Sequence, residues 1–157
     1  MRIIFAADHA GFSLKEHLKP FVESLGHSVE DVGNTVLDEQ DDYPAFVAGA
    51  ARIISAHPEE ARAIVIGGSG QGEAIAANRF PNVRAVVYAG EPVTKEDEAL
   101  DMLALTREHN DANILSLGAR FLTEDLAERA VRRWLEIPFS GEERHARRNT
   151  AIDHLSE

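Results

Sequence analysis

Apolar residues fall along the chain in short runs separated by longer stretches of helical spacing. Arg2–Ala7, Ala63–Ile66, Val83–Tyr88 and Ile114–Leu117 read as buried strands, and His27–Val32 as another short one. Ile64, Val65 and Ile66 are β-branched with no polar alternation, as expected of a parallel strand covered on both faces. Between the strands, Leu14, Leu18, Phe21, Val22 and Leu25 form a helical stripe ended by Gly26, with Ser13 and Glu16 placed as a capping box and Pro20 expected to kink it. Tyr43–His57 predicts a helix with Pro44 in its first turn. Thr123 caps another, carrying Leu126, Ala127, Ala130, Val131, Trp134 and Leu135 and stopped near Pro138. Gly33–Asp42 reads as a polar loop, and Gly90–Asp101 as a charged surface loop or short exposed helix. A last polar helix, about 141–156, has so weak an apolar stripe that it is expected to pack on another subunit rather than on the core. Strands alternating with helices over 157 residues predict one α/β domain, 1–157, built on a doubly wound parallel sheet.

The third strand runs into Gly67-Gly68-Ser69-Gly70-Gln71-Gly72-Glu73 and then into helix-forming Ala74, Ala76 and Ala77. Four glycines in six positions let the backbone turn and approach a ligand closely, with a helix N-terminus behind them. Gly67 and Gly72 fit the outer glycines of G-x-x-x-x-G-K-[ST], but Glu73 replaces the lysine and Ala74 the hydroxyl residue. The fingerprint G-x-G-x-x-G fails from either Gly68 or Gly70. What survives is an anion hole with a carboxylate at its lip, which suits proton abstraction from carbon beside an enolate held by amides.

Composition narrows the chemistry further. A net charge of −11, from 16 basic and 27 acidic side chains, argues against nucleic acid or an anionic membrane surface. No apolar run approaches the ~20 residues of a membrane span, and the first residues do not form a signal peptide, so a cytoplasmic protein is expected. The absence of cysteine removes thiolate chemistry and leaves Glu, Asp, His, Lys or Tyr as base. No H-x-x-x-H or H-E-x-x-H spacing occurs among seven histidines, and no metal site is expected.

Each polar group has an ordinary explanation beside the functional one. Glu73 either answers the helix dipole or acts as a base; Ser69 either bonds its own turn or holds a ligand. Asp8 and His9, at the end of the first strand, are either a cap and a surface imidazole or part of a site where α/β sheets bind ligands. His109-Asn110-Asp111-Ala112-Asn113 has turn composition. Arg144, His145, Arg147 and Arg148 are either a solvated face or, since Arg144 and Arg148 stand four apart, two forks for one phosphate.

Taken in order, Asp8-His9-Ala10-Gly11, Asp42-Tyr43-Pro44, Gly68–Glu73 with Ala76-Ala77-Asn78-Arg79, Arg107–Asn113, Gly118-Ala119-Arg120 and Arg144–Arg148 resemble the type B ribose-5-phosphate isomerases and their allose- and galactose-phosphate relatives. The resemblance covers nearly the whole chain. It implies a Rossmann-like α/β/α sandwich with a five-stranded parallel sheet, no cofactor, and a homodimer or tetramer whose active sites use both subunits. It also implies interconversion of ribose 5-phosphate and ribulose 5-phosphate through an enediolate, without metal. One branch of the family uses a cysteine just after the third strand. Gly67 stands there, so the chain resembles the branch whose base is Glu73.

By position, the resemblance makes Ser69 and the amides of Gly68, Gly70, Gln71 and Gly72 the enediolate hole. It makes His109 the ring-opening acid, assigned to the partner subunit, with Asp8 assisting and Asn110 holding a hydroxyl or the enediolate. His9, Arg120, Arg144 and Arg148 become the phosphate ligands. Gly90–Asp101 is longer than usual for the family and bears on which sugar is taken. Another aldose phosphate, of four or six carbons, is the alternative substrate; a non-catalytic sugar-phosphate or nucleotide sensor is the alternative of another class.

Overall fold

Strand β1 (Arg2–Ala7) is buried from Ile3 onward, because its two faces meet two different helical layers. In the computed structural model, which describes residues 1–90 and 101–155, β1 lies beside β2 (Ser28–Asp31) and β3 (Ala61–Gly67). The strands β5 (Ile114–Gly118) and β4 (Ala85–Tyr88) complete a parallel sheet of order β2-β1-β3-β5-β4.

Ile3, Phe5, Ile64, Ile66, Leu115 and Leu117 pack against α1 (Phe12–Ser24) and α5 (Glu124–Glu136). The alternate residues Ile4, Ala6, Ala63, Val65 and Ile114 meet α2 (Tyr43–Ala56) and α3 (Gln71–Ala77). The three-layer α/β/α sandwich expected from the sequence is therefore present. Among the described residues no helix is long and apolar enough to cross a membrane.

Helix α1 continues through Pro20, which faces solvent. An interior proline costs ~3 kcal/mol. Burial of Leu14, Leu18 and Val22, at roughly 1.5–3 kcal/mol each, outweighs it. The Ser13/Glu16 capping box does not form. The helix starts two residues earlier than such a box requires, at Phe12 with Gly11 as N-cap, and Glu16 turns to Lys19 at 2.6 Å. The Asp8 carboxylate has already taken the N–H groups of Ala10 and Gly11 at 3.0 and 3.3 Å.

Thr123 does cap α5, accepting from the Leu126 N–H at 3.2 Å. Helix α4 (Met102–Glu108) was not expected from the sequence, and β4 begins at Ala85 rather than Val83. Of the segment Gly90–Asp101, residues 91–100 lie outside those described; Asp101 caps α4 through the Ala104 N–H at 3.0 Å. The final helix, α6 (Glu143–Asp153), buries His145 and Asn149 against its own chain and leaves both hydrophobic cores untouched.

Candidate active site

The glycine loop is fastened by the end of β5. Ala119 and Arg120 donate their N–H groups to the carbonyls of Gly67 and Gly68 at 2.9 and 3.1 Å, and the buried Ser116 hydroxyl donates to the Gly70 carbonyl at 2.6 Å. Gly70 has φ +77°, a left-handed conformation that glycine adopts without strain. The first N–H groups of α3 then have no partner within the helix. The Gln71 N–H meets the Ser69 hydroxyl at 3.3 Å. The Tyr43 hydroxyl stands over Gly72, where a Cβ would lie 2.6 Å from it. The guanidinium of Arg120 lies on Gly68, with Cζ 3.1 Å from the place of a Cβ there.

Helix α3 begins at Gln71, so Glu73 falls in its first turn with only 4% of its surface exposed. Its carboxylate fills the space where Gly67 lacks a side chain. Burial pushes the Glu73 carboxyl up, and the negative charge of Asp8 adds to this against a bond from its own amide. A raised carboxyl in a cleft of amides is a base matched to a weak carbon acid.

At the end of β1, the Asp41 carboxylate accepts both the backbone N–H and the Nδ1–H of His9, each at 2.8 Å. These bonds, that to the ring above all, raise the His9 imidazole. Asp8, His9 and Asp41 can bring one ligand atom each within 4.8 Å of one another, a grouping that sequence spacing could not reveal because Asp41 is remote. All three side chains already hold hydrogen bonds within the protein: Asp8 to the Ala10 and Gly11 amides, His9 to Asp41, and Asp41 to His9 and Asn34.

The remaining expected residues lie elsewhere in the same chain. His109, Asn110 and Asp111 precede β5, so they sit at the N-terminal edge of the sheet, whereas Glu73, Asp8 and Arg120 sit at the C-terminal edge. The rise of β5 alone separates the edges by about 13 Å at ~3.3 Å per residue.

Helix α6 belongs to the His109 edge: the His145 ring stacks on His109 with centroids 4.1 Å apart, and the Asn149 amide donates to the His109 carbonyl at 3.2 Å. Arg144 and Arg148 are on this helix and therefore not beside His9 and Arg120 of the same chain. Arg84 locks the edge. Its Nε donates to the Asn110 and Asp111 carbonyls at 2.9 and 3.3 Å, and its Nη atoms pair with Asp153 at 2.8 Å and Asp111 at 3.1 Å. Arg107, buried under Trp134, holds Asp111 from the other side at 2.8 Å. Asp111 itself has φ +46°.

A groove of about 520 Å³ runs beside Asn110 between Phe80, Val86, Ile152 and Leu155. Its lining includes neither Glu73 nor the glycine loop.

Asp41, Arg84 and His145 carry no local signal of their roles in the sequence. Their partners lie 32, 26 and 36 residues away, and only the loop composition around 109–113 hinted that something fixed it.

The sequence profile of the ribose/galactose isomerase family matches residues 3–152. A ribose-5-phosphate isomerase B of Mycolicibacterium paratuberculosis is 38% identical over 157 residues, 100% of this chain and 91% of the relative. A D-erythrulose-4-phosphate isomerase 2 of Mycolicibacterium smegmatis is 35% identical over 143 residues, covering 88% of this chain and 86% of its own. The crystal structure of ribose-5-phosphate isomerase B from Mycoplasma genitalium with bound ribulose-5-phosphate superposes with TM-score 0.87 at 32% identity, covering 97% of this chain and 93% of that one. With fold, glycine loop and buried carboxylate all present, this chain belongs to the ribose/galactose isomerase family.

Proposed function

We propose that the chain is an aldose–ketose isomerase interconverting ribose 5-phosphate and ribulose 5-phosphate through an enediolate. The observation that carries this reading is the buried, proton-avid Glu73 carboxylate held against the glycine loop. Glu73 takes the proton from C2 of the open-chain aldose; the C–H electron pair becomes the C1–C2 double bond as the carbonyl π pair moves onto O1, leaving an enediolate. The O2 hydroxyl proton passes to O1, and, as the O2 carbonyl forms, the double-bond pair at C1 takes the proton back from Glu73, giving the ketose and the free base. Ser69 and the amides of Gly68, Gly70, Gln71 and Gly72 stabilise the charge on oxygen, and Asp8 helps at the sugar hydroxyls.

His109 opens the furanose ring as acid, with Asn110 on a hydroxyl and His9, Arg120, Arg144 and Arg148 on the phosphate. Since one chain sets these groups on opposite edges of its sheet, the site is completed by a second copy. Exposed Ile75 and Phe121, next to Glu73 and Arg120, and Ile152 and Leu155 at the end of α6 supply apolar surface for that contact. A charged sugar phosphate does not cross a membrane unaided, which favours a cytoplasmic enzyme.

Incubation with ribose 5-phosphate in heavy water tests the reading. Deuterium should enter C2 of the aldose or C1 of the ketose. Absence of label with any pentose, tetrose or hexose phosphate would leave a sugar-phosphate sensor as the better account. The relative named for D-erythrulose 4-phosphate favours one second reading, the same chemistry on a four-carbon sugar. A panel of aldose phosphates separates the two by kcat/KM.

A further inference from the structure

The loop Gly33–Asp42 leaves β2 along the solvent surface, with residues 35–40 exposed, and comes back to bury the Asp41 side chain to 9% exposure against His9. The return is anchored from below. Lys15, fully buried on α1, donates to Asp31 at 2.6 Å and to the Asn34 carbonyl at 2.5 Å. The Asn34 amide donates to Asp41 Oδ2 at 2.8 Å; the opposite orientation would set its oxygen against a carboxylate. Burial disfavours charge on Asp41, yet the two bonds from His9 and that from Asn34 overcome this and hold its carboxyl low.

A carboxylate in this position accepts and cannot donate, so Nδ1 of His9 must carry a proton at every pH where Asp41 is charged. Nε2 is then the nitrogen left for a ligand. On a neutral ring it would offer a lone pair to a phosphate oxygen, which repels it; on the imidazolium it offers an N–H.

We infer that Asp41 is a positioning residue for substrate binding: it fixes the orientation of His9 with Nδ1 protonated and favours the charged ring, so that Nε2–H donates to the sugar's phosphate. The acids facing the ring are Asp41 and Asp8, whose Oδ2 lies 4.0 Å from Nδ1. Both favour the charged ring. The inference rests on the proposed role of His9 as a phosphate ligand.

Asp41→Asn tests it by removing the charge while keeping the shape. At neutral pH the KM for ribose 5-phosphate should rise roughly five- to tenfold, the difference between a charge-assisted and a neutral hydrogen bond, with the loss larger in KM than in kcat. The ratio of KM values should fall toward one about a unit below the ordinary histidine value of ~6.5, where both rings are charged. Ionisation of the phosphate itself is common to both proteins and cancels in that ratio. In a His9→Asn background the same change should add no pH-dependent effect.

An NMR titration of the unaltered protein, with inorganic phosphate as probe, is independent of turnover and of whether the variant folds. His9 should titrate above the ordinary value with Nδ1 protonated throughout, and phosphate should raise its midpoint further. A His9 midpoint at or below the ordinary value, a bare Nδ1, no response to phosphate, or a KM ratio constant with pH would overturn the inference. Failure of the heavy-water exchange would instead overturn the isomerase reading.

Discussion

The carboxylate of Glu73 occupies the space that a side chain at Gly67 would need. The two positions therefore exclude each other: a residue at 67 can exist only if Glu73 moves. Since the atoms in the way are the end of a flexible side chain and not backbone, Gly67→Ala should fold with nearly unchanged stability. The displaced base should cost kcat about 10²-fold, the usual loss when a reacting group is misplaced by about an ångström. A thermal melt together with steady-state kinetics checks both halves, and an active Gly67→Ala would put the base elsewhere.

Glu73→Gln should lower kcat by ~10²–10⁴ while substrate still binds. In the native enzyme, the acid limb of kcat/KM should lie above the ordinary glutamate range, because burial and Asp8 raise this carboxyl. The same shift has a stability consequence. A carboxyl raised on folding contributes favourably below its unfolded value, and that contribution is lost as pH rises through the folded one. Glu73→Gln should therefore melt higher than the native protein at pH 7–8, with the gap closing toward pH 4. A variant that is inactive and no more stable at neutral pH would contradict the burial cost.

The contrast between these residues and Arg84 shows what the sequence could carry. Strand, glycine loop, base and helix are contiguous from Ala63 to Ala77, so their geometry follows from local rules, and Thr123, Pro44 and Gly26 mark helix ends for the same reason. The Ser13/Glu16 box failed because the helix begins at Phe12, directly after a turn that Asp8 closes through the Ala10 and Gly11 N–H groups, so Ser13 is already inside it. Helix α4 has seven residues and too few apolar positions to show a period. Which edge of the sheet each motif reaches depends on strand order and register, and the ties from Asp41 to His9 and from Arg84 to Asn110 cross that order. No linear pattern encodes them.

Arg84→Ala should act through the loop that presents His109 and Asn110. The substitution leaves Asp111 and Asp153 without their fork, and the side chain is only 11% exposed. Breaking such a pair costs about 3 kcal/mol, or roughly 6–12 °C in Tm for a chain of this size. Activity should fall beyond what the melt explains, because Asn110 and Asp111 lose the bonds to their carbonyls. Arg84→Lys keeps the charge but not the five donors, so it should recover little of either. Full recovery by lysine would mean that charge alone matters here.

Separation of His109 from Glu73 within one chain makes a complementation test decisive. Glu73→Gln and His109→Asn should each be severely impaired alone. Mixed in equal amounts and allowed to exchange subunits, half of the dimers would be mixed, and one of the two sites in each would combine an intact Glu73 with an intact His109 from the other copy. About a quarter of all sites should then be native, and activity should return to that fraction. His109→Asn should also hurt a cyclic substrate more than an open-chain one. No gain on mixing, with subunit exchange verified by mass, would mean that both groups come from one chain and that the loop before β5 reaches Glu73 by a rearrangement of its own subunit.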